Sequence, residues 1–485
     1  MTRTRRPVLI QGGMGIAVSS WQLAREVSRL GQLGVVSGTA LDGVVARRLQ
    51  DGDEGGHIRR ALRHFPSPAM ADRILSAYFL PEGRQGKPYR PHPTMSIDPG
   101  RNAIELAVIG NFVEVWLAKE GHDGVVGINL LEKVQTSTLT ATFGAMLADV
   151  DYVIMGAGIP KEMPQLVTDF AAGRTGHYTI DVHNATKTYR ASLDPVAVMG
   201  DELPTLNRPD FLAIVSLHVL ASYLNRNDQI RPDGFIVEGP KAGGHSATPR
   251  GKMTLNEAGE PIYGPKDDAD IRAMVEIGLP FWLAGTYGTA DKVREAIDLG
   301  AQGVQAGTVF ALCEDSGLRP SLRDAMLSKL RVGSLVVKND PLASPTGFPF
   351  KVAQVPGTQS EDEVYQARER ICDLGYLRSP VERPDGSVQM RCASEPVHMY
   401  MKKGGDAAET DGRKCLCNAL MANIGLGQQR KNGYVEQPAL TLGQDLTGPE
   451  ALIEQHPQGW TARDAVTWLL SDVPAELYED QLATV

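Results

Sequence analysis

The residues best suited to chemistry lie in one stretch, Val237–Ser246, which reads VEGPKAGGHS. A strand-like apolar run ends here and a glycine-rich turn follows, so Gly243 and Gly244 would let the backbone approach a planar ligand closely. His245 would then be held over that ligand, and a histidine pKa near 6.5 suits proton transfer at neutral pH. A loop histidine that only hydrogen-bonds the backbone is the alternative. We predict that His245 is catalytic.

Two turns rich in glycine and threonine form a second group. Ala284–Thr289 reads AGTYGT and Gly303–Thr308 contains GVQAGT, and one helix-like segment separates them. Glycines let backbone N–H groups converge at a helix start, which is a common phosphate site in barrels, and Thr308 can add a hydroxyl donor. One such turn is an ordinary connection between strand and helix. Two at neighbouring strand ends favour a phosphate such as that of FMN.

A third group follows the first apolar run, where Gln11–Gly15 reads QGGMG. The stretch is too short for a dinucleotide fingerprint and does not match the Walker A pattern. It could place a planar ring against the backbone with Met14 as apolar packing; a plain tight turn is the alternative. Asn129, at the end of the third run, could hydrogen-bond the edge of a ring. His183, after the fifth run, is a secondary candidate.

Eight apolar runs, many followed by glycine-rich or polar turns, alternate with helix-like segments: Val8–Gln11, Leu33–Val36, Val125–Leu130, Tyr152–Met155, Tyr178–Val182, Phe235–Val237, Pro280–Ala284 and Gly303–Gln305. Phe211–Val215 is a further run that fits an extra strand or part of a helix. This order predicts parallel strands with crossover helices. Eight such units close a TIM-type (β/α)₈ barrel, whose active site lies at the C-terminal mouth of the strands. Seven or eight units can be placed, so an open doubly wound sheet is the alternative.

The pattern also predicts how the chain is divided. Residues 42–100 are irregular, with basic and proline-rich stretches, and we interpret them as an insertion after the second strand. Strand-like runs become rare from Val332 onward. We therefore expect a barrel over residues 1–331 and, over residues 332–485, a mostly helical or irregular C-terminal extension packed on it. Its last helix is predicted near Ala462–Leu470.

Composition narrows the class of protein. The hydrophobic share of 42% and the charged share of 22% are usual for globular proteins. A net charge of −9 argues against a nucleic-acid partner, and no apolar run approaches the roughly 18 residues of a membrane span. Five cysteines, an odd number, predict a reducing cytoplasm. Cys415 and Cys417 are one residue apart, which fits zinc poorly, so we expect buried free thiols and no metal.

These motifs resemble the nitronate monooxygenase family, formerly called 2-nitropropane dioxygenases. The resemblance runs from about Pro7 to Arg319 and rests on four stretches, Gln11–Gly15, Gly127–Leu130, Ala242–His245 and Ala284–Thr308. The family is similar to flavin-dependent enoyl-ACP reductases and to trans-acting enoyl reductases of polyketide and polyunsaturated fatty acid synthases, which share an FMN-bearing barrel. The resemblance implies that His245 is the catalytic histidine. It also implies FMN, lined by Gly13, Met14 and Asn129, its phosphate held by Gly285, Thr286, Gly307 and Thr308, with Gln305 nearby.

The resemblance implies oxidation of alkyl nitronates or nitroalkanes with O₂, with His245 taking a proton or orienting the anion. Two features depart from the family: Gly285-Thr286 replaces a usual Gly-Gly pair, and Ser246–Arg250 replaces a run of small residues and glycines. The insertion and the C-terminal extension are also atypical of the family. These departures weaken the inference about the substrate more than the inference about the cofactor. An NAD(P)H-dependent enoyl reductase acting on an enoyl thioester is the alternative. A barrel that serves only as a binding subunit is a third reading, against which the intact motifs count. The partners expected are small molecules and a second copy of the chain.

Overall fold

The computed structural model describes residues 6–478, and residues 1–5 and 479–485 lie outside this range. One sheet of eight parallel strands forms its centre; each strand from the second onward pairs with the next in chain order, and the last pairs with the first. The strands are β1 (Leu9–Gln11), β2 (Gly34–Ser37), β3 (Val126–Leu131), β4 (Tyr152–Gly156), β5 (Asp210–Val215), β6 (Gly234–Glu238), β7 (Phe281–Ala284) and β8 (Gly303–Ala306).

The seam between β1 and β2 closes the sheet into a barrel. A parallel bridge joins Ile10 to Leu33, just before β2 begins. Two glutamine side chains extend this short pairing, since Leu9 N donates to Gln32 Oε1 at 2.8 Å and Val35 N donates to Gln11 Oε1 at 3.0 Å. Side-chain amides therefore satisfy backbone donors that a longer ladder would pair. The closed seam confirms the (β/α)₈ barrel and excludes the open sheet.

The barrel interior is filled by side chains from alternating strand positions. Its buried apolar residues form a separate cluster from the larger core between strands and helices: Ile10, Leu33, Val35, Tyr152, Ile154, Leu212, Ile236, Trp282 and Ala284. Trp282 is the largest of them, and its indole N–H donates to Pro7 O at 2.9 Å. The same alternation directs Asn129, Glu238 and Gln305 toward the C-terminal mouth.

The fifth strand of the barrel differs from the prediction. Tyr178–Val182 does not enter the sheet; Gly176–Ile180 pairs instead with Tyr189–Leu193 in an antiparallel hairpin outside the barrel. The run Phe211–Val215, for which strand and helix were both left open, forms β5 instead. Burial alternates along Gly176–Ile180, as expected of a hairpin with one exposed face, whereas most of β5 is buried, as expected inside a parallel sheet.

Helices surround the barrel and fill the connections between strands. Those up to β8 are Trp21–Arg29, Leu41–Gln50, His57–Leu62, Pro68–Tyr78, Arg101–Lys119, Thr138–Leu147, Met163–Ala171, Pro195–Met199, His218–Asn225, Ile271–Ile277 and Ala290–Asp298. Those after β8 are Thr308–Ala311, Pro320–Arg331, Asp362–Gln366, Val397–Lys402, Leu416–Asn423, Thr447–Gln455 and Ala462–Leu469. Within residues 6–478, no helix is both long and apolar enough to cross a membrane.

The insertion after β2 is more ordered than predicted. Three helices, Leu41–Gln50, His57–Leu62 and Pro68–Tyr78, occupy most of its length up to Tyr78, and the longest part without helix or strand runs from Phe79 to Gly100. The first of them is buried on nearly all sides, including its polar residues, so it shows no simple amphipathic pattern. Arg47 illustrates this, because it is buried and donates to Leu426 O at 2.6 Å. The insertion thus contacts the C-terminal segment directly.

The C-terminal segment contains two antiparallel hairpins in addition to its helices. Val337–Asp340 pairs with Phe350–Ala353, and Ser379–Glu382 pairs with Val388–Arg391. Its first hairpin contacts the barrel mouth, where Phe350 forms an isolated bridge with His245. The predicted division of the chain near Val332 stays a prediction.

Removing the tryptophan inside the barrel should destabilise the whole fold. We expect Trp282→Ala to lower the free energy of unfolding by about 3–5 kcal/mol, because it leaves a cavity in a closed core and an unpaired Pro7 carbonyl. Urea denaturation followed by circular dichroism measures the effect. Trp468→Ala is the matched control, since Trp468 is only half-buried, and its cost should be clearly smaller. Equal costs for the two variants would contradict the role of Trp282.

Candidate functional site

A cavity of about 270 Å³ opens at the C-terminal mouth of the barrel. Every residue predicted for the site, apart from the secondary candidate His183, lines it: Gly13, Met14, Asn129, Gly243, Gly244, His245, Gly285, Thr286, Gln305, Gly307 and Thr308. His183 is exposed and pairs with Val381 of the second C-terminal hairpin, away from this cavity. The structure thus brings together segments almost 300 residues apart, and the individual roles of these residues remain proposals.

The turn after β1 packs against Asn129 at the end of β3. Asn129 Nδ2 donates to Gly13 O at 3.0 Å. A Cβ atom on Gly13 would lie 2.2 Å from the Asn129 Cβ, so this approach requires glycine. Asn129 Oδ1 is buried and has no hydrogen-bond partner among the residues that the structure describes. An unpaired buried acceptor is costly, so the site provides a place for a ligand N–H or O–H donor.

The two glycine-threonine turns lie side by side, as predicted for a phosphate site. Gln305 of β8 is in register with Ala284 of β7, which places the turns that follow next to each other. Gly285 has φ +105°, a backbone conformation that favours glycine. A short helix begins at Thr308, and amides of a first helical turn have no partner within the helix. These amides could hold an anion.

The C-terminal segment covers these turns, which the sequence did not indicate. Gly443 N donates to Thr308 Oγ1 at 3.0 Å, so this hydroxyl accepts one bond and keeps its own O–H as a donor. Gly448 lies so close to Gly288 that a Cβ atom would stand 2.0 Å from the Gly288 carbonyl oxygen. Thr441, Gly443, Asp445 and Gly448 also line the cavity. In the sequence, the two glycines Gly443 and Gly448 were the one indication that this segment packs closely against another part of the chain.

His245 is held by the same C-terminal segment. Its Nε2 lies 2.7 Å from Ser344 Oγ, which in turn contacts Thr346 Oγ1 at 2.8 Å. The Phe350 ring packs edge-on against the imidazole with 4.9 Å between centroids. Burial lowers the pKa of His245 to about 4, and the positive charge of Lys133 adds to this shift. The expectation of an ordinary pKa is therefore wrong, and the imidazole is neutral at pH 7.

Glu238 is a second titratable group in the cavity, and our sequence analysis gave it no role. It is in register with the inward-facing Ala284, and its carboxylate makes no hydrogen bond or ion pair within residues 6–478. Burial raises the pKa of Glu238 to about 7, against the opposing charge of Lys351. Residues two positions apart in a strand lie on the same face, and Ile236 faces the barrel interior. The sequence could therefore have indicated that the Glu238 carboxyl also faces inward.

Lys351 is fully buried behind the His245 turn. Its Nζ donates to Pro240 O at 2.8 Å and to Ser246 Oγ at 3.1 Å. Burial lowers its pKa to about 8, partly offset by the charge of Glu238. Because it ties together both ends of the Pro240–Ser246 turn, this lysine fixes the position of His245.

The remaining wall of the cavity is largely apolar. It combines barrel residues with residues of the C-terminal segment: Leu130, Leu131, Ile214, Phe350, Tyr376, Leu377, Leu416, Cys417 and Leu420. Among residues 6–478, no group of three or more His, Cys, Asp and Glu side chains is placed to hold a metal ion. The arrangement suits an apolar substrate beside one neutral imidazole and one carboxyl that titrates near neutrality.

The influence of Lys133 on His245 can be measured directly. We expect the His245 imidazole to titrate near pH 4 in NMR spectra, and Lys133→Met to raise this midpoint because a nearby positive charge is removed. The midpoint should stay below 6.5, since burial is the larger cause. Lys187→Met is the matched control, because Lys187 lies over the Tyr189 ring outside the cavity. A wild-type midpoint near 6.5 would contradict the burial of His245.

Comparison with known proteins shows a similarity over part of this chain. Residues 201–340 match the sequence profile described as nitronate monooxygenase. Probable nitronate monooxygenases of Staphylococcus aureus strains JH9 and Newman are 30% and 25% identical over 202 residues, which is 41% of this chain and 51% of theirs. The chain thus spans about half the length of these relatives. FabK from Thermotoga maritima superposes with a TM-score of 0.46 at 16% identity, over 98% of this chain and 95% of that one. The profile and sequence matches confirm the resemblance seen in the sequence: part of this chain is similar to the nitronate monooxygenase family.

Proposed function

We propose that this protein is an FMN-dependent oxidoreductase that oxidises alkyl nitronates. The observation that carries the proposal is the meeting of Asn129, the two glycine-threonine turns and His245 around one cavity. The family match supports it, because residues 201–340 include β5 to β8, His245 and both turns. The expected partners are small molecules, namely the nitronate and O₂.

The residues present fit FMN. The unpaired Asn129 Oδ1 offers an acceptor to the N–H of a flavin ring, and Gly13, Met14, Gly243 and Gly244 line the same cavity. Gly285, Thr286, Gly307 and Thr308 would hold the phosphate, with Gln305 between the two parts. The electron-accepting chemistry would be supplied by the isoalloxazine ring when it is bound.

The charge near His245 favours an anionic substrate. Lys133 acts electrostatically on the imidazole, because its charge contributes to the lowered pKa of His245. Lys133 also pairs with Glu132 at 3.1 Å, but its charge still acts on the imidazole and would favour the negative charge of a nitronate in the same way. Alkyl groups would pack against the apolar wall that contains Leu131, Ile214 and Leu377. A neutral enoyl thioester carries no such charge before it reacts, so this charge would contribute less to its binding.

The hydrogen bonds of His245 suit orientation of the substrate. When the Ser344 hydroxyl donates to Nε2, the single proton of the neutral ring lies on Nδ1. Nδ1–H can then donate to a nitro oxygen. With a pKa of about 4, the imidazole is a weak base at pH 7, so removal of a carbon-bound proton is not its best role.

Glu238 is better placed to take a proton from a neutral nitroalkane. Base strength follows pKa, and a carboxyl with a pKa of about 7 is poised between its two forms at neutral pH. Its oxygens have no protein partner within residues 6–478, so they remain available to the cavity. A pre-formed nitronate needs no deprotonation and would use only the orienting contact with His245.

The purified protein should be yellow and release FMN. We expect Gly285→Ala to weaken FMN binding at least about tenfold, because the substitution adds a Cβ atom and strains a turn assigned to the phosphate. Gly333→Ala is the matched control, since Gly333 also has positive φ but lies outside the cavity. Fluorescence titration of the apoprotein with FMN measures both. A colourless protein that takes up no FMN would overturn the proposal.

Two variants separate orientation from proton transfer. His245→Ala should lower kcat/KM by about 10²–10⁴ on both nitronates and neutral nitroalkanes, while FMN content stays near wild type. Glu238→Gln should lower kcat/KM only on neutral nitroalkanes, and should remove the rise in that rate with pH around 7. Equal losses for Glu238→Gln on both substrates would argue against Glu238 as the base.

The competing reductase is distinguished under anaerobic conditions. Bleaching of the flavin absorbance by a nitronate, and not by NADPH, is the result expected. Fast bleaching by NADPH, followed by reoxidation with an enoyl thioester, would replace the proposed oxidation with enoyl reduction.

A further inference from the structure

Four of the five cysteines lie in the C-terminal segment, and of these only Cys417 lines the cavity: Cys372, Cys392, Cys415 and Cys417. All five cysteines are free thiols, and only Cys372 is partly exposed. The Cys372 and Cys392 thiols are neighbours that interact, and this interaction lowers the pKa of Cys372 and raises that of Cys392. A second contact holds the same two segments together, because Arg370 Nη1 donates to Ala393 O at 3.3 Å.

Arg378 holds Cys372 from the other side. Its Nε donates to Cys372 Sγ at 3.3 Å and its Nη2 to Cys372 O at 2.8 Å. The chain turns back at Gly375, which has φ +74° and where a Cβ atom would lie 2.9 Å from the Arg378 Cζ. The neighbouring Cys392 thiol and the Arg378 guanidinium both favour a thiolate, and together they lower the pKa of Cys372 to about 6.

We propose that Cys372 and Cys392 form a peroxide-reactive dithiol. The Cys372 thiolate attacks hydrogen peroxide, the O–O bond breaks, and Cys372 becomes a sulfenic acid as hydroxide leaves. The Cys392 thiol then attacks this sulfur, a disulfide forms, and water is released. The two cysteines are oxidised by two electrons in total, and one molecule of peroxide is reduced.

The other cysteines are unsuited to the first step. Burial raises the pKa of the Cys313, Cys415 and Cys417 thiols above the ordinary value, so these groups stay protonated and poorly nucleophilic. Cys392 is itself buried, which fits a resolving thiol that waits for an oxidised partner. The proposal is independent of the ligand that the barrel binds.

The bridge would constrain one wall of the cavity. The segment between the two cysteines carries Tyr376 and Leu377, which line the cavity. Tyr376 also donates its hydroxyl proton to Asp42 Oδ1 at 2.7 Å, so this wall rests on the helix Leu41–Gln50. A covalent link at the base of the segment would restrict how far this wall moves away from the barrel.

Intact-mass analysis of the full-length wild-type chain tests the proposal. Fully reduced protein, freed of reductant, is treated with a small excess of hydrogen peroxide. We expect the loss of two hydrogens, a fall in free thiols from five to three, and a peptide that links Cys372 to Cys392. Dithiothreitol should reverse all three changes. Unchanged thiols, scattered oxidation without a bridge, or a bridge to Cys415 or Cys417 would overturn the proposal.

Variants assign the two roles. Cys392→Ser should stop the reaction at a Cys372 sulfenic acid that dimedone traps, whereas Cys372→Ser should slow peroxide consumption at least about tenfold. Arg378→Met should also slow it, because the thiolate loses its cation. Cys313→Ser is the matched control, since Cys313 is buried after β8, and its behaviour should equal that of wild type. Dimedone labelling at Cys392 instead of Cys372 would contradict the assignment.

Discussion

Closure of the barrel at β1 is the constraint on which the rest of the structure depends. This strand has three residues and pairs with β8 on one side, but meets β2 through a single bridge on the other. Gln32 and Gln11 complete the seam with side-chain amides. The turn after β1 then lies between the turn after β8 and Asn129 of β3. Without this closure, the elements around the cavity would not meet.

The charged groups of the site depend on both parts of the chain. The barrel contributes His245 and Glu238 at the end of β6, and the C-terminal segment contributes Ser344 and Lys351. Neither part alone buries these groups, so neither alone would shift their pKa values as far. The site therefore contains two titratable groups with different pKa values, and the pKa of the Glu238 carboxyl is higher than that of the His245 imidazole.

Much of the barrel and of the site could be predicted from local patterns. Seven strands coincide with short apolar runs in the sequence, and the glycine-rich turns follow these runs. Because the strands are parallel, their carboxyl ends lie at one mouth of the barrel. The fifth strand was misassigned because Tyr178–Val182 is also apolar, although exposed His177 and half-buried Thr179 alternate with buried residues in the way of a hairpin. The helix Leu41–Gln50 was missed because its polar side chains are buried too. Ser344 and Lys351 could not be found, because long-range packing alone brings them to β6.

The position of residues 441–449 in the chain has a consequence for biosynthesis. Gly443 and Gly448 cover the turns after β7 and β8, and this contact forms only after residue 448 has been made, well after β8. A nascent chain that has completed all eight strands on the ribosome would therefore still present an open, water-filled mouth. A chain cut before residue 441 would lack this cover over the two turns, so it should hold a ligand at the mouth less tightly.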